Sequence, residues 1–430
     1  MELFLEFFSF QDPNVRYVVF GSVLLSISSA IVGCFTFLKK KALLGDVVSH
    51  AVLPGICLSF MISGSKDPIL LILGAFATGW LSIVFMDFIV QNSKIKEDTA
   101  TGLSLSLFFG IGILLLTMIQ HSGNAQQTGL DSFLFGKAAA LVGADLLAFS
   151  AIAVIILIIV FLFYKEFQLV SFDLAYAQSI GLPAKRIELL LTSITVMAVV
   201  TGIQAVGVVL MAAMLITPAA AAKFWTNRLP IMLMLASLFG AVSGVSGAFI
   251  SYTAPSMPTG PWIVMILSLI AITSFFIAPN KGILIKSWNQ RKIRRQLLEE
   301  NLLKSFYKIG EFREDFTESS SATELEEIRK FSPSQFQKGL KRLSNQGFIK
   351  RNQGQWSLTK EGLIKGQRVV RLHRLWELYL TKFLRIAPDH VHEDAETIEH
   401  VITPEIERKL EALLDYPEYD PHQTEIPYQS

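Results

Sequence analysis

Charged side chains are scarce in this chain of 430 residues: Asp, Glu, Lys and Arg make up 17% of it, against about 25% in an average soluble domain. The shortage is confined to the first two thirds. Residues 1–280 contain 13 basic and 13 acidic side chains, whereas residues 281–430 contain 25 and 23. This distribution excludes a protein that is soluble throughout. It predicts a membrane domain over residues 1–280, followed by a soluble domain.

Cysteine is almost absent as well. The two cysteines of the chain, Cys34 and Cys57, both lie in apolar runs. They give no evidence of a disulfide or of a metal site. We predict that both are buried as small apolar residues.

Motifs for nucleotide hydrolysis are also missing. The chain contains no Gly-x-x-x-x-Gly-Lys-Ser/Thr segment, which is the phosphate-binding loop of many ATPases. No nucleophile stands beside a general base in any recognisable motif. We therefore predict that the chain is not an enzyme and has no ATP site, and that any ATP hydrolysis belongs to a partner subunit.

Long apolar runs dominate residues 1–280. About 20 apolar residues suffice for a helix to cross a membrane, and Gly202 and Gly207 interrupt one of the runs. The sequence thus predicts an all-α polytopic membrane protein with eight or nine spans. These cover residues 15–38, 43–63, 69–90, 99–119, 142–164, 187–205, 207–222, 231–252 and 261–278.

The loops between these spans alternate in charge. Short loops rich in Lys and Arg face the cytoplasm, and basic loops alternate here with poorly basic ones such as residues 121–132 and 251–261. This predicts a protein of the bacterial cytoplasmic (inner) membrane whose C-terminal domain is cytoplasmic. The basic positions are Lys39–Lys41, Lys94, Lys96, Lys165, Lys185, Arg186, Lys223, Arg228, Lys281 and Lys286.

Asp46 and His50 stand four residues apart, between apolar runs. On a helix, this spacing places both side chains on one face. Ionisable groups inside a membrane are costly and usually mark an ion or substrate path. A carboxylate oxygen and a neutral imidazole nitrogen suit Mn, Fe or Zn. The alternative is a helix-end pair that bonds to a neighbouring helix.

The loop of residues 166–188 is predicted to form a short amphipathic helix after Asp173. Gly181 then provides a turn, Leu182 follows it, and Pro183 opens the next span. Such a helix on the cytoplasmic face could enter the groove of another protein. A surface linker between two spans is an equally good interpretation of this loop.

Together these segments resemble the permease subunits of metal-ion ABC importers, the manganese, zinc and iron uptake class. The resemblance covers residues from about 10 to 280. It is carried by Gly45-Asp46-x-x-Ser49-His50-Ala51-Val52-Leu53-Pro54-Gly55, Phe133-Leu134-Phe135-Gly136, Phe172-Asp173, Gly181-Leu182-Pro183, Gln204-Ala205-Val206-Gly207 and Leu215-Ile216-Thr217-Pro218-Ala219-Ala220.

This resemblance implies a specific organisation. Two permease copies, identical or different, assemble in the lipid around a central pathway on which Asp46 and His50 contact the metal. The segment 173–186 meets the ATPase subunit, with Asp173, Gly181, Leu182 and Pro183 in the matching positions. An extracytoplasmic binding protein delivers the metal.

The remainder of the chain begins with a predicted linker, residues 281–298. Residues 299–358 are predicted to form a winged helix-turn-helix domain, with helices over 294–310, 322–330 and 333–345 and a two-stranded wing that turns at Gly354. Thr359 is predicted to cap the long helix that follows, which ends at about Ile386. The helix over 333–345, which is the second helix of the helix-turn-helix, would present Lys338, Lys341 and Arg342 to nucleic acid. The alternative is a winged helix used only as a protein contact.

Five of the seven histidines lie between positions 373 and 422, within or near the predicted helical domain 359–430. His373 and Glu377 are four residues apart, and Glu396, Glu399 and His400 also have helical spacing, with His392 one turn earlier. Clusters of nitrogen and oxygen ligands of this type suit a first-row divalent metal.

Residues from about 299 to 427 resemble the iron- and manganese-dependent repressors related to the diphtheria toxin repressor. The carrying segments are Leu358-Thr359-x-Glu361-Gly362, Arg371-x-His373-Arg374-Leu375-x-Glu377, Val391-His392-Glu393-x-Ala395-Glu396-x-x-Glu399-His400 and Asp420-Pro421-His422-x-x-x-Ile426-Pro427. The resemblance implies metal ligands at His373, Glu377, His392, Glu396, Glu399 and His400, and dimerisation. It also shows a departure, because Asn301, with Lys304 one turn on, stands where the family has a further ligand.

The sequence therefore leads to one main hypothesis, an importer permease with its own cytoplasmic metal sensor for Mn, Fe or Zn. A membrane-tethered, metal-dependent regulator that binds DNA is the first alternative. A metal transporter that runs without ATP is a weaker one.

Overall fold

The computed structural model describes residues 2–41, 43–65, 67–121, 143–253, 259–279, 281–386 and 403–428. The chain forms two compact units, Met1–Lys286 and Ser287–Ser430, which we call the first and second unit.

The described part of the first unit is helical. Seven of its helices are long and apolar enough to span a membrane, or eight if the bent pair α6–α7 is one span. The all-α polytopic class is confirmed, and the predicted count of eight or nine spans is approximate. The helices are α1 (Glu2–Ser9), α2 (Pro13–Leu38), α3 (Leu44–Ser63), α4 (Pro68–Asn92), α5 (Glu97–His121), α6 (Gly143–Leu162), α7 (Tyr164–Phe172), α8 (Leu174–Ser179), α9 (Ala184–Val206), α10 (Val208–Trp225), α11 (Leu229–Thr253) and α12 (Thr259–Ile277).

Local chemistry explains where several helices begin. Asp12 accepts a hydrogen bond from the backbone N–H of Asn14 at the start of α2, and Asp67 does the same for Ile69 at the start of α4. Both helices have Pro in the first turn, where the missing N–H costs nothing.

Gly207 separates α9 from α10. Its backbone angles, φ 88° and ψ 167°, are almost restricted to glycine, so the long apolar run breaks at this residue. Gly202 instead stays inside α9, where a Cβ would come 2.1 Å from Met211 Sδ. The predicted interruption is therefore located at Gly207. A second break, after α6, bends the chain by 72° between α6 and α7.

Small residues allow the helices of the first unit to approach closely. A Cβ on Gly33 of α2 would come 1.7 Å from the carbonyl oxygen of Leu215 on α10. On α11, a Cβ on Gly240 would come 3.0 Å from the carbonyl oxygen of Ser26. Such contacts are typical of helix packing in membranes, where van der Waals contact replaces the hydrophobic effect. Cys34 and Cys57 are buried free cysteines, as predicted.

The outer faces of the spans are apolar. Large side chains such as Phe88, Leu147 and Phe161 are well exposed on α4 and α6. A soluble surface rarely carries so many apolar groups, so we assign these faces to the lipid.

The second unit contains helices and one hairpin. Its described elements are α13 (Ile283–Arg313), α14 (Ala322–Ile328), α15 (Pro333–Asn345), β1 (Ile349–Asn352), β2 (Gln355–Leu358), α16 (Lys360–Leu384) and α17 (Pro404–Leu413). Helix α13 is longer than the predicted helix 294–310, and the predicted linker 281–298 is for the most part its first half.

The wing is the antiparallel pair β1–β2, in which Asn352 pairs with Gln355. Gln353 and Gly354 between them have positive φ, 47° and 88°, as a two-residue hairpin turn requires. Thr359 then caps α16 by accepting the N–H of Gly362 at 3.1 Å. Both features match the prediction. Ser332 occupies the N-cap position of α15, but its side chain makes no capping hydrogen bond there.

Candidate functional site

Asp46 and His50 lie on α3, Asp46 in its first turn. Both side chains are half-buried, whereas Val47, Val48 and Ser49 between them are buried. The pair therefore shares a face that its own unit leaves partly open. The ring of His50 packs edge-on against Phe109 of α5, with 5.0 Å between the ring centroids.

The helix that carries this pair is held tightly by its neighbours. A Cβ on Gly55 of α3 would come 2.1 Å from the carbonyl oxygen of Gly74 on α4, and a Cβ on Gly112 of α5 would come 2.9 Å from Leu53. Packing this close fixes the position of α3, and with it the positions of the carboxylate and the imidazole.

Ser49 lies between the two, and the sequence-based predictions assigned it no role. It is fully buried, and its hydroxyl has no hydrogen-bond partner within the described residues. A buried polar atom without a partner is uncommon. The only signal in the sequence was its position inside the Gly45–Gly55 motif.

The second candidate feature is the turn around α8. Asp173 caps this helix by accepting the N–H of Tyr176 at 2.9 Å. At the other end, Gly181 has φ +84°, and the N–H of Leu182 donates to the carbonyl of Ala177 at 3.1 Å. This is a Schellman motif, which explains why glycine stands at 181. Pro183 is the N-cap residue of α9, in agreement with the predicted helix start.

The surface of this turn is apolar. Phe172, Leu174, Tyr176 and Ile180 all project large, exposed hydrophobic side chains, and Phe172 and Tyr176 are 57% and 55% exposed. Ala177 is the buried residue of α8 and anchors it. A short, capped helix with exposed apolar side chains is compatible with both interpretations of this loop, a docking element and a surface linker.

The second unit contains the remaining predicted ligands. His373 and Glu377 lie one turn apart on α16, with 3.0 Å between Nε2 and Oε1, and each side chain is only 3% exposed. They line a cavity of about 680 Å³. His392, Glu396, Glu399 and His400 lie outside the described residues. Within the described part of the chain, no three His, Cys, Asp or Glu side chains form a group that could hold a metal ion.

Cations share this cavity. Lys304 of α13 lines it and is 4% exposed. Arg374 also lines it, and its guanidinium bonds both carboxylate oxygens of Glu311, at 2.9 and 2.7 Å, and lies 3.7 Å from Asp420. Asn301, the other departure from the repressor pattern, accepts a hydrogen bond from Arg329 at 3.2 Å. The spacing of residues could not reveal these contacts, because they join distant parts of the sequence.

A further cavity, of about 480 Å³, is lined by a strongly basic group of residues of the second unit. Lys338 and Arg342 of α15 contribute to it. Lys341 is exposed but does not line it. Glu299 lies 3.9 Å from Arg342. The other cations of the lining are Arg294, Arg295, Arg329 and Lys330.

A half-buried carboxylate and imidazole lie on a clamped, spanning helix, and ionisable groups inside a membrane usually mark an ion or substrate path. The model of the ABC 3 transport family matches residues 11–278, and the chain belongs to this family. The model of the metal binding and dimerisation domain of iron dependent repressors matches residues 359–428. Both resemblances predicted from the sequence are confirmed.

Several relatives extend this result. The manganese transport system membrane protein MntC of Bacillus subtilis is 40% identical over 88% of this chain and 86% of its own length. The zinc transport system membrane protein TroC of Treponema pallidum is 42% identical over 68% of this chain and 97% of its own. A probable metal transport system membrane protein of Chlamydia trachomatis is 29% identical and covers 97% of both chains.

Among solved structures, PsaBC from Streptococcus pneumoniae in complex with Fab is similar to the first unit. It is 34% identical, covers 65% of this chain and 97% of its own, and superposes with a TM-score of 0.58.

Proposed function

We propose that this chain is the permease subunit of an ATP-driven importer of a divalent transition metal. The observation that carries the proposal is the Asp46–His50 pair, one helical turn apart on the half-buried face of α3. The manganese and zinc transport roles in the names of the relatives support the same substrate class. Mn, Zn and Fe all accept such oxygen and nitrogen ligands.

Asp46 and His50 act as transient ligands in this proposal. A carboxylate oxygen and the unprotonated imidazole nitrogen replace part of the hydration shell of the metal as it passes. Two ligands from one chain bind more weakly than a closed structural site with four, which allows release. The matching pair of a second permease copy, identical or homologous, would complete the pathway.

Uptake of radioactive manganese into cells tests this role. We expect Asp46→Asn and His50→Gln each to lower uptake at least tenfold, while the amount of protein in the membrane stays unchanged. His121→Gln is the matched control, because this exposed histidine ends α5, away from the pair. Unchanged uptake in the Asp46→Asn, His50→Gln double variant would overturn the proposal.

Permeases of this family work with an ATPase and a substrate-binding protein. We infer that the ATPase of this system is a separate subunit that contacts the apolar surface of α8. The predicted orientation places this surface and the second unit in the cytoplasm, with the membrane being the bacterial inner membrane. The extracytoplasmic binding protein then delivers metal to the opposite end of the pathway.

We infer that the second unit senses cytoplasmic metal and slows transport when metal accumulates. His373 and Glu377 supply an imidazole and a carboxylate, donors that suit Mn, Fe or Zn. His392, Glu396, Glu399 and His400 would complete the ligand set. Regulation requires that the metal bind one state of the transporter better than the other. With inverted vesicles, whose cytoplasmic face is outside, the metal on that face can be varied while the ATP-driven release of labelled metal from the vesicle lumen is measured.

Wild-type vesicles are expected to release labelled metal more slowly as unlabelled metal on the cytoplasmic face rises. Glu377→Gln and the Glu399→Ala, His400→Ala variant should stay active at metal concentrations that inhibit wild type. Glu405→Gln is a suitable control, because Glu405 is exposed and pairs with Lys409 one turn away. An inhibition curve that does not change in either variant argues against sensing by this unit.

The basic cavity at α15 supports a second candidate function, DNA binding by a membrane-tethered regulator. Lys338, Arg342 and the four cations around them would contact phosphates, with Lys341 beside them. Binding of the purified full chain to DNA, measured with and without Mn at several salt concentrations, tests it. A real complex weakens steeply with salt. Equal, metal-independent binding to every sequence would dismiss the regulator.

A further inference from the structure

Lys304 is placed where a metal-sensing cavity should not have a positive charge. It lines the same cavity of about 680 Å³ as His373 and Glu377, and only 4% of its surface is exposed. An ammonium group has three donors and no acceptor, so it cannot act as a metal ligand. Its burial keeps it from turning away into solvent.

Among the described residues, the carboxylates of Glu311, Glu377 and Asp420 also line this cavity. Arg374 holds Glu311 through two hydrogen bonds and lies 3.7 Å from Asp420. Glu377 is the carboxylate in contact with His373, and it is the one a metal would use. A divalent ion bound there shares the cavity with the ammonium of Lys304. Lys304 and Glu377 are both almost fully buried, and like charges repel more strongly near buried groups than in water.

We propose that Lys304 is the residue that sets the metal threshold of the His373–Glu377 site. Its ammonium is a fixed positive charge that lowers the affinity of this site for a divalent ion. The site therefore fills only when cytoplasmic metal is abundant. This inference rests on the sensing role proposed above, and it explains how one chain can import a metal and still respond only to an excess of it.

Manganese binding to the full-length protein in detergent tests this inference. Free Mn²⁺ is measured by electron paramagnetic resonance, in an Asp46→Asn, His50→Gln background that removes the pathway ligands. We expect Lys304→Met to bind Mn²⁺ at least tenfold more tightly than the parent, because the aliphatic stem is retained and the charge is lost. Lys304→Arg, which retains the charge, should not tighten binding.

Two controls locate the effect. Lys308→Met changes a half-buried lysine of the same cavity, so the gain should be smaller because solvent screens that charge. Lys341→Met removes an exposed lysine outside the cavity and should leave Mn²⁺ affinity unchanged. Thermal unfolding verifies that each variant is folded. If Lys304→Met does not fold, Lys304→Gln replaces it, and we expect the same tighter binding of Mn²⁺.

The Glu377→Gln variant separates this inference from the function on which it rests. If Glu377→Gln abolishes binding but Lys304→Met and Lys304→Gln bind like the parent, the role of Lys304 is overturned and the sensing site stands. If no variant shows Mn²⁺ binding that depends on Glu377, both the threshold and the sensing role are overturned.

Discussion

Arg374 donates two hydrogen bonds to Glu311, at 2.9 and 2.7 Å, across 63 positions of sequence. The pair joins α16, which carries His373 and Glu377, to α13, which carries Lys304. This ion pair thus helps to hold His373 and Glu377 in place relative to Lys304. Its arginine, Arg374, is almost fully buried.

Breaking this ion pair should loosen α16 from α13. Glu311→Gln removes the charge from a partly exposed carboxylate and leaves Arg374 with Asp420 at 3.7 Å, so we expect a loss of about 1–3 kcal/mol. Hydrogen exchange of the α16 amides reports the change locally. Glu361→Gln, in the exposed first turn of the same helix, is the control. Equal protection in both variants would mean that the pair contributes nothing.

Glu407 should make the stability of the second unit dependent on pH. Burial opposes its ionisation, but hydrogen bonds from Arg368 and Arg371 outweigh this and hold the pKa of Glu407 below its usual value of 4.5. A carboxyl with a lowered pKa in the folded state stabilises the fold above its unfolded pKa, and that contribution is lost as pH falls through the folded pKa.

We therefore expect wild type to be more stable than Glu407→Gln at pH 7, by a margin that stays constant down to about pH 5 and shrinks below pH 4.5. Unfolding of α16 and α17, followed by hydrogen exchange at each pH, measures the margin. A margin that is the same at pH 3 and pH 7 would show that the charge of Glu407 is not involved.

Gly33→Ala should disrupt the first unit. The added Cβ would sit 1.7 Å from the backbone carbonyl oxygen of Leu215, so α2 and α10 must separate. We expect a fall in the melting temperature of the purified protein and a loss of uptake, at a cost of about 1–3 kcal/mol. Gly110→Ala is the matched control, since its Cβ meets nothing within 4 Å, and it should be neutral or slightly stabilising. If both variants behaved alike, the close approach would have no consequence.

The apolar surface of α8 should be required for ATPase association. Phe172, the last residue of α7, and Tyr176 of α8 are two of the most exposed apolar side chains at this turn. Replacing both by Ser leaves the Asp173 cap unchanged. We expect the ATPase to co-purify at less than a tenth of the wild-type level, while Mn²⁺ binding by the permease is retained. Ile95→Ser, an exposed apolar residue of another predicted cytoplasmic loop, is the comparison. Full co-purification of the Phe172→Ser, Tyr176→Ser variant would remove α8 from the interface.

The sequence by itself determined which parts of the chain are membrane spans and which residues are candidates for metal binding. Apolar runs of spanning length leave few alternatives, because every backbone polar group in lipid must be satisfied within a helix. The four-residue spacing of Asp46 and His50, and that of His373 and Glu377, fixes a shared helix face by geometry alone. Turn chemistry likewise placed Gly181, Gly354 and the Thr359 cap.

The tertiary structure decided what surrounds those residues. Only packing shows that Gly33, Gly55 and Gly112 clamp their helices, because a glycine in a sequence does not reveal which backbone will approach it. Lys304 is buried in the same cavity as His373 and Glu377 because helices far apart in the chain come into contact. The Arg374–Glu311 pair depends on the same kind of contact. Long-range electrostatics of this type is invisible to spacing, and it is what distinguishes this cavity from a plain set of metal ligands.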